Sequence, residues 1–154
     1  MTTSRIAFTL PIGVTLGASN IWSVQVANQL AEQGWTPYLL EHVSVGWHPD
    51  VDLQVGPGVQ TLRCGGARVT EAGVADVEAF AHVYAGTLPA VVVQNWGRAP
   101  YGALAVLARE RASDLRVIGV GHADSDGYYD DLVYYESIIH LFLAVSYEIA
   151  AELA

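Results

Sequence analysis

His122 stands two residues ahead of Asp124 and four ahead of Asp126, in the segment VIGVGHADSD that follows an apolar run. An imidazole and carboxylates at the end of a buried strand are the residue types for moving a proton, holding a hydroxyl or binding a divalent cation. A second cluster, NWGR, puts Asn95 and Arg98 after the apolar run AVVVQ, an amide and a guanidinium able to hydrogen-bond a polar ligand. A third, PIGVTLGASN, carries Gly13 and Gly17 into a helical pattern, where free backbone N–H groups and the helix dipole would suit a phosphate. The first and third clusters also have readings without chemistry: a histidine meeting a local hydrogen bond and an acidic helix N-terminus for the first, and a tight turn for the third.

Several chemistries fall away on spacing. The glycine loop does not fit G-x-G-x-x-G, and G-x-x-x-x-G-K-[ST] needs a lysine, of which the chain has none, so NAD or ATP in their usual modes are not expected. Setting Gly127 at the sixth position of a twelve-residue calcium loop puts His122 first and Val133 last, without the opening acid or the bidentate glutamate. Asp124-Ser125-Asp126 spells the short D-x-D motif of metal-dependent GT-A glycosyltransferases, a reading that would bring manganese or magnesium to Asp124 and Asp126. No serine lies in G-x-S-x-G, and Ser146 reads as a helix N-cap rather than as a nucleophile beside His122 and Asp124. Tyr128, Tyr129, Tyr134 and Tyr135 form a strip that either stacks on a sugar or closes a core; their helical spacing favours core.

The 154 residues fit one domain, and 52% hydrophobic against 15% charged residues describe a chain that folds. Its apolar runs stop well short of the ~20 residues of a membrane span, and the opening residues do not read as a secretory leader, so a cytoplasmic chain is expected. Sixteen acids against seven bases, all arginine, give a net charge of −9. Phosphate neutralisation by basic side chains dominates nucleic-acid affinity, so nucleic acid is not an expected partner, and anionic membranes are disfavoured for the same reason. The single cysteine, Cys64, excludes an internal disulfide and a thiolate zinc cluster and reads as a small buried hydrophobe. No metal and no cofactor is expected.

Five apolar segments read as strands: Arg5 to Leu10, Thr36 to Glu41, Ala90 to Gln94, Val117 to Gly121 and His140 to Val145. IAFTL, AVVVQ and VIGVG are apolar almost throughout, as strands covered on both faces must be. Ile21, Val24, Ala27 and Leu30 mark a helix capped by Ser19 or Asn20 and stopped by Gly34. Val74, Val77, Ala81 and Tyr84 mark a second, Tyr101 to Ala112 a third and Ser146 to Ala154 a last. The glycine- and proline-rich stretch from His42 to Val69 reads as a long loop or a hairpin around one short strand near Gln60 to Arg63. Strands alternating with helices imply an α/β fold, a Rossmann-like three-layer parallel sheet with ligands outside the carboxyl ends of the strands.

Together these rim segments resemble the N-terminal half of a GT-B glycosyltransferase of the retaining family 4. That family opens with a strand, a G-G loop, a helix patterned V-x-x-L-A-x-x-L and a G-H before the second strand. Here Gly17-Ala18 stands at the G-G, Val26-Ala27 at the L-A, Leu30 at the later leucine and Gly34-Trp35 at the G-H. VVVQNW, VIGVGHAD and FLAVSYEIAAEL are similar to the later strand and V-S segments, with His140 at the usual aspartate position. The resemblance covers nearly the whole chain. It implies transfer of a sugar from a nucleotide sugar to an acceptor with retention, across a cleft between two Rossmann-like domains. Residues 1–154 would be the single acceptor-side domain, with the C-terminal nucleotide-sugar domain absent and the chain by itself inactive. It further implies that Gly17 and Ala18 approach the donor diphosphate and that His122 contacts the transferred sugar as the catalytic-site residue. Asn95, Arg98 and Asp124 are assigned as acceptor contacts because they follow strand ends. A domain lacking its partner should expose an apolar face, so self-association into a homo-oligomer is expected. The competing reading is a stand-alone Rossmann- or flavodoxin-like module that binds a small polar ligand or a protein.

Overall fold

A computed structural model describes residues 4–10, 17–44, 53–66, 73–122 and 126–153. Among these residues lie six strands, β1 (Arg5–Leu10), β2 (Thr36–Ser44), β3 (Gln60–Gly66), β4 (Ala90–Gln94), β5 (Leu115–Gly121) and β6 (Leu141–Ala144), and five α-helices. The helices are α1 (Ala18–Glu32), α2 (Val74–Thr87), α3 (Arg98–Glu110), α4 (Asp126–Tyr134) and α5 (Tyr147–Glu152). The strands form one sheet in the order β3-β2-β1-β4-β5-β6, every pair parallel. That is the strand order of the doubly wound Rossmann sheet, whose direction of winding reverses between β1 and β4.

The unbroken apolar strands follow from helices covering both faces. Successive residues alternate between them. Ala7, Leu40, Val92 and Val117 meet Phe80, Tyr84 and Leu104 of α2 and α3 on one side. Phe8, Leu10, Leu39, Val93 and Val120 meet Val24 and Ala27 of α1 on the other. Each fully buried aromatic or aliphatic side chain there stabilises by about 1.5–3 kcal/mol.

The structure extends or corrects several boundaries. The segment near Gln60 is a parallel strand beside β2, paired from Tyr38↔Gln60 to Ser44↔Gly66, and not a hairpin. The connection into it packs Leu53, Val55 and Val59 on the α1 face and is clamped by Asn28, whose Nδ2 donates to Gln54 O and whose Oδ1 accepts from Gly56 N. Helix α1 begins at Ala18 with extended Gly17 as its N-cap and no side-chain cap, so Ser19 and Asn20 lie within the first turn instead of capping it. Its stop is the expected one: Gly34 takes a φ of 85°, which a Cβ would strain. Helix α3 starts three residues earlier than the periodicity predicts, because Pro100 sits in the first turn, where its missing N–H would have no intrahelical partner anyway. Ser146 caps α5 as expected, its Oγ accepting from Ile149 N at 3.3 Å. Among the described residues no helix is long and apolar enough to cross a membrane.

Candidate functional site

The site forms where the sheet reverses. Strands β1 and β2 stay paired to Leu10, but β1 and β4 pair only from Ile6↔Val91 to Phe8↔Val93. Beyond Phe8 and Val93 the ladder stops, and buried carbonyls there need other donors. Side chains supply them. Asn95 Nδ2 donates to Thr9 O at 2.7 Å, and Gln94 Nε2 donates to Trp96 O at 2.8 Å. Beneath them, the hydroxyls of Thr9 and Tyr84 lie 2.5 Å apart and Tyr84 donates to Gln94 Oε1 at 3.0 Å. A buried polar seam therefore closes the bottom of the crevice in which ligands of doubly wound sheets bind.

Asn95 joins this seam to His122. Its Nδ2 also lies 3.0 Å from Ser23 Oγ of α1, and its Oδ1 lies 2.7 Å from His122 Nε2, one residue past the end of β5. Asn95 is 1% exposed, so its amide is engaged inside the protein at three points. His122 is half-buried and packs edge-on against Trp22, with ring centroids 5.7 Å apart, while Trp22 in turn packs edge-on against Phe8. Burial holds the imidazole below its ordinary pKa, because a charged ring would lose hydration there. The ring is thus a neutral group held between an amide and an indole.

Gly17 and Ala18 open α1 after the β1 end, half-buried and exposed respectively. Among the described residues no side chain caps α1 at Gly17, and the first N–H groups of a helix have no partner within the helix itself. Gly97, with a φ of 110°, turns the chain from β4 into α3, a geometry that glycine adopts without strain. Arg98 follows and reaches α4, where its Nε donates to Asp131 Oδ1 at 3.1 Å. Arg98 is 57% exposed against 7% for Asp131, so the pair is a buried carboxylate met by a partly solvated guanidinium. Burial pushes the Asp131 carboxyl above its ordinary range, and Arg98 pulls it back. The pair borders a cavity of about 670 Å³ that is also lined by Tyr129, Tyr134 and Tyr135.

Of the residues chosen from sequence, His122 and Asn95 come together, Arg98 opens α3 three residues after Asn95, and Gly17 with Ala18 begins the helix that carries Ser23 and Trp22. Asp124 lies outside the described residues, as does Gly13. Thr9, Ser23, Trp22, Tyr84, Gln94 and Asp131 were not legible as site residues. Each belongs to an apolar or helical segment and meets the site only through tertiary pairing. Of the tyrosines read as core, Tyr134 departs from that expectation at 78% exposed, Tyr129 and Tyr135 are half-buried with Tyr135 stacked on the buried Tyr101, and the side chain of Tyr128 lies outside the described residues. His42 is buried edge-on against Phe80, and His140 Nδ1 accepts from Val117 N, so both serve the scaffold. Cys64 is buried as expected, its thiol pushed up to about 11 chiefly by burial.

Fold and crevice define a Rossmann-like α/β domain with its polar residues at the switch point of the sheet. A solved sucrose-phosphate synthase from Thermosynechococcus elongatus is similar to it, with a TM-score of 0.62 over 97% of this chain at 18% sequence identity. The likeness is one of fold, and the chain spans 44% of that protein's length. No protein-family model matches the sequence, and no curated protein matches it.

Proposed function

We propose that the chain is the N-terminal, acceptor-side domain of a GT-B glycosyltransferase that moves a sugar from a nucleotide sugar to an acceptor with retention of configuration. The observation that carries this reading is the fold match to sucrose-phosphate synthase along 97% of the chain but 44% of that protein, added to the family 4-like order of the rim segments. In this reading the N–H groups at Gly17 and Ala18 face the leaving diphosphate, and His122 meets the transferred sugar. Arg98 and Asp124 contact the acceptor, with the tyrosine-lined cavity beside Arg98 as its seat. The buried amide of Asn95 is held back from direct contact.

A retaining transfer through an oxocarbenium-like state depends on positioning and on stabilising the leaving diphosphate more than on a strong base. The chain has no lysine, and the rim cation Arg98 is paired with Asp131. The charge that clamps the diphosphate would come from the absent C-terminal domain, and the 154 residues alone would not turn over nucleotide sugar. The test has two parts. The purified chain is assayed for nucleoside diphosphate release from a panel of nucleotide sugars with candidate acceptors, and the native polypeptide is sized in its source cell. Turnover by the chain alone would refute the inactivity. A native product of 154 residues would move the reading to the stand-alone binding module.

A further inference from the structure

We propose that Asn95 is a positioning residue that fixes His122 in its Nε2–H tautomer, so that Nδ1 meets the ligand as an acceptor for a hydroxyl proton. Thr9 O can only accept, so the Asn95 atom 2.7 Å from it must be the amide nitrogen, which orients the whole side chain. The second amide proton has an acceptor in Ser23 Oγ at 3.0 Å. The amide oxygen is therefore the atom 2.7 Å from His122 Nε2, and at that distance the ring nitrogen must carry a proton.

A neutral imidazole has one N–H, and His122 is kept neutral by burial. No ion pair joins it to a carboxylate among the described residues. The lone pair consequently lies on Nδ1, which has no hydrogen-bond partner among the described residues. The edge contact with Trp22 holds the ring plane. Such an atom attracts a hydroxyl and repels phosphate or carboxylate oxygens. It suits the sugar and not the diphosphate of a nucleotide sugar, and only in naming that sugar does the inference rest on the reading above.

The tautomer is read directly by nitrogen-15 NMR of the ring in the ligand-free chain near neutral pH, independently of any transfer activity. One tautomer is expected for the wild type, with Nε2 pyrrole-like and Nδ1 pyridine-like at full separation. Asn95→Ala should shrink that separation as both tautomers become populated, a change that a merely structural role of Asn95 would not produce. Ser23→Ala should leave the separation unchanged, because Thr9 O still orients the amide. A wild-type ring in the Nδ1–H or an averaged state overturns the proposal, and so does a folded Asn95→Ala with the wild-type spectrum. Should Asn95→Ala fail to fold, the wild-type and Ser23→Ala spectra decide. Absence of sugar transfer alongside the expected spectra would count against the glycosyltransferase reading and leave the tautomer assignment standing.

Discussion

Replacing Tyr84 by phenylalanine removes one oxygen from the seam under the crevice and leaves the ring in place. Gln94 Nε2 donates to Trp96 O, so Gln94 Oε1 faces Tyr84 and must accept its proton at 3.0 Å. With its single proton committed there, Tyr84 accepts from Thr9 Oγ1 at 2.5 Å. All three side chains are 0% exposed, and burial raises the Tyr84 hydroxyl far above its ordinary range, so it stays protonated. The substitution strands an acceptor on Gln94 and a donor on Thr9; at about 1–3 kcal/mol for each stranded group, we expect a loss of about 2–6 kcal/mol. For a chain of 154 residues this lowers Tm by roughly 5–25 °C. Thr9→Val strands nothing on Gln94 and should cost only about 0.5–1.5 kcal/mol. In the double variant the shared bond is lost once, so its cost should fall short of the sum by about 1 kcal/mol. Urea unfolding followed by tryptophan fluorescence and circular dichroism measures all three. Tyr84→Phe within about 0.5 kcal/mol of wild type, or strictly additive costs, would refute the directed chain of hydrogen bonds.

Three further outcomes follow. The depressed pKa of His122 means that the unfolded chain binds more protons than the folded one as pH falls through the ordinary value of 6.5, so His122 should cost stability below that pH and nothing above it. Urea titrations of wild type and His122→Gln at neutral and mildly acidic pH should show wild type losing ground to the variant on acidification, and a constant difference would count against a buried neutral ring. With its thiol raised from 9.0 to about 11, Cys64 should carry about a hundredfold less thiolate than an ordinary cysteine and react with Ellman's reagent only after urea unfolding. Equal rates in the folded and unfolded chain would contradict this. Strand β6 leaves Leu141 and Phe142 53% and 42% exposed, and the isolated chain should self-associate through this strip in sedimentation experiments, with Leu141→Lys/Phe142→Lys reducing the effect. A monomeric wild type at high concentration would dispose of the exposed interface.

The central sheet was legible because β1, β4 and β5 are apolar on consecutive residues, a pattern that only double coverage explains. Strand β3 was legible only as a short strand near Gln60 to Arg63, since its glycines and its charged Arg63 carry no period and its parallel place beside β2 comes from pairing, as in Glu41↔Arg63. Helix starts slipped for a related reason. A side-chain cap leaves a mark in sequence, whereas the extended backbone of Gly17 does not. The site divides along the same line. His122, Asn95 and Arg98 could be picked out because they follow strand ends, which in this fold form the ligand rim. What Asn95 does there could not be read, because Thr9 lies 86 residues away and Ser23 lies 72 residues away.

The chemistry of the crevice floor bears on where the missing charge must sit. Thr9, Ser23, Asn95 and a neutral His122 offer dipoles and no cation, and burying such groups is tolerable only because each is hydrogen-bonded. Thr9, Ser23 and Asn95 are fully buried, so the half-buried His122 is the group of this floor that can meet a hydroxyl with defined polarity. Among the described residues the floor offers a diphosphate only the N-terminus of α1, while Arg98 is already partnered by Asp131 and the chain as a whole carries a net charge of −9. On the glycosyltransferase reading, the partner domain must therefore bring a cationic surface to the carboxyl rim of this sheet. Complementarity to an acidic chain would steer that closure as well as hold the leaving group. A partner domain with an acidic facing surface would break this reasoning, because two repelling faces could not close a cleft around a diphosphate.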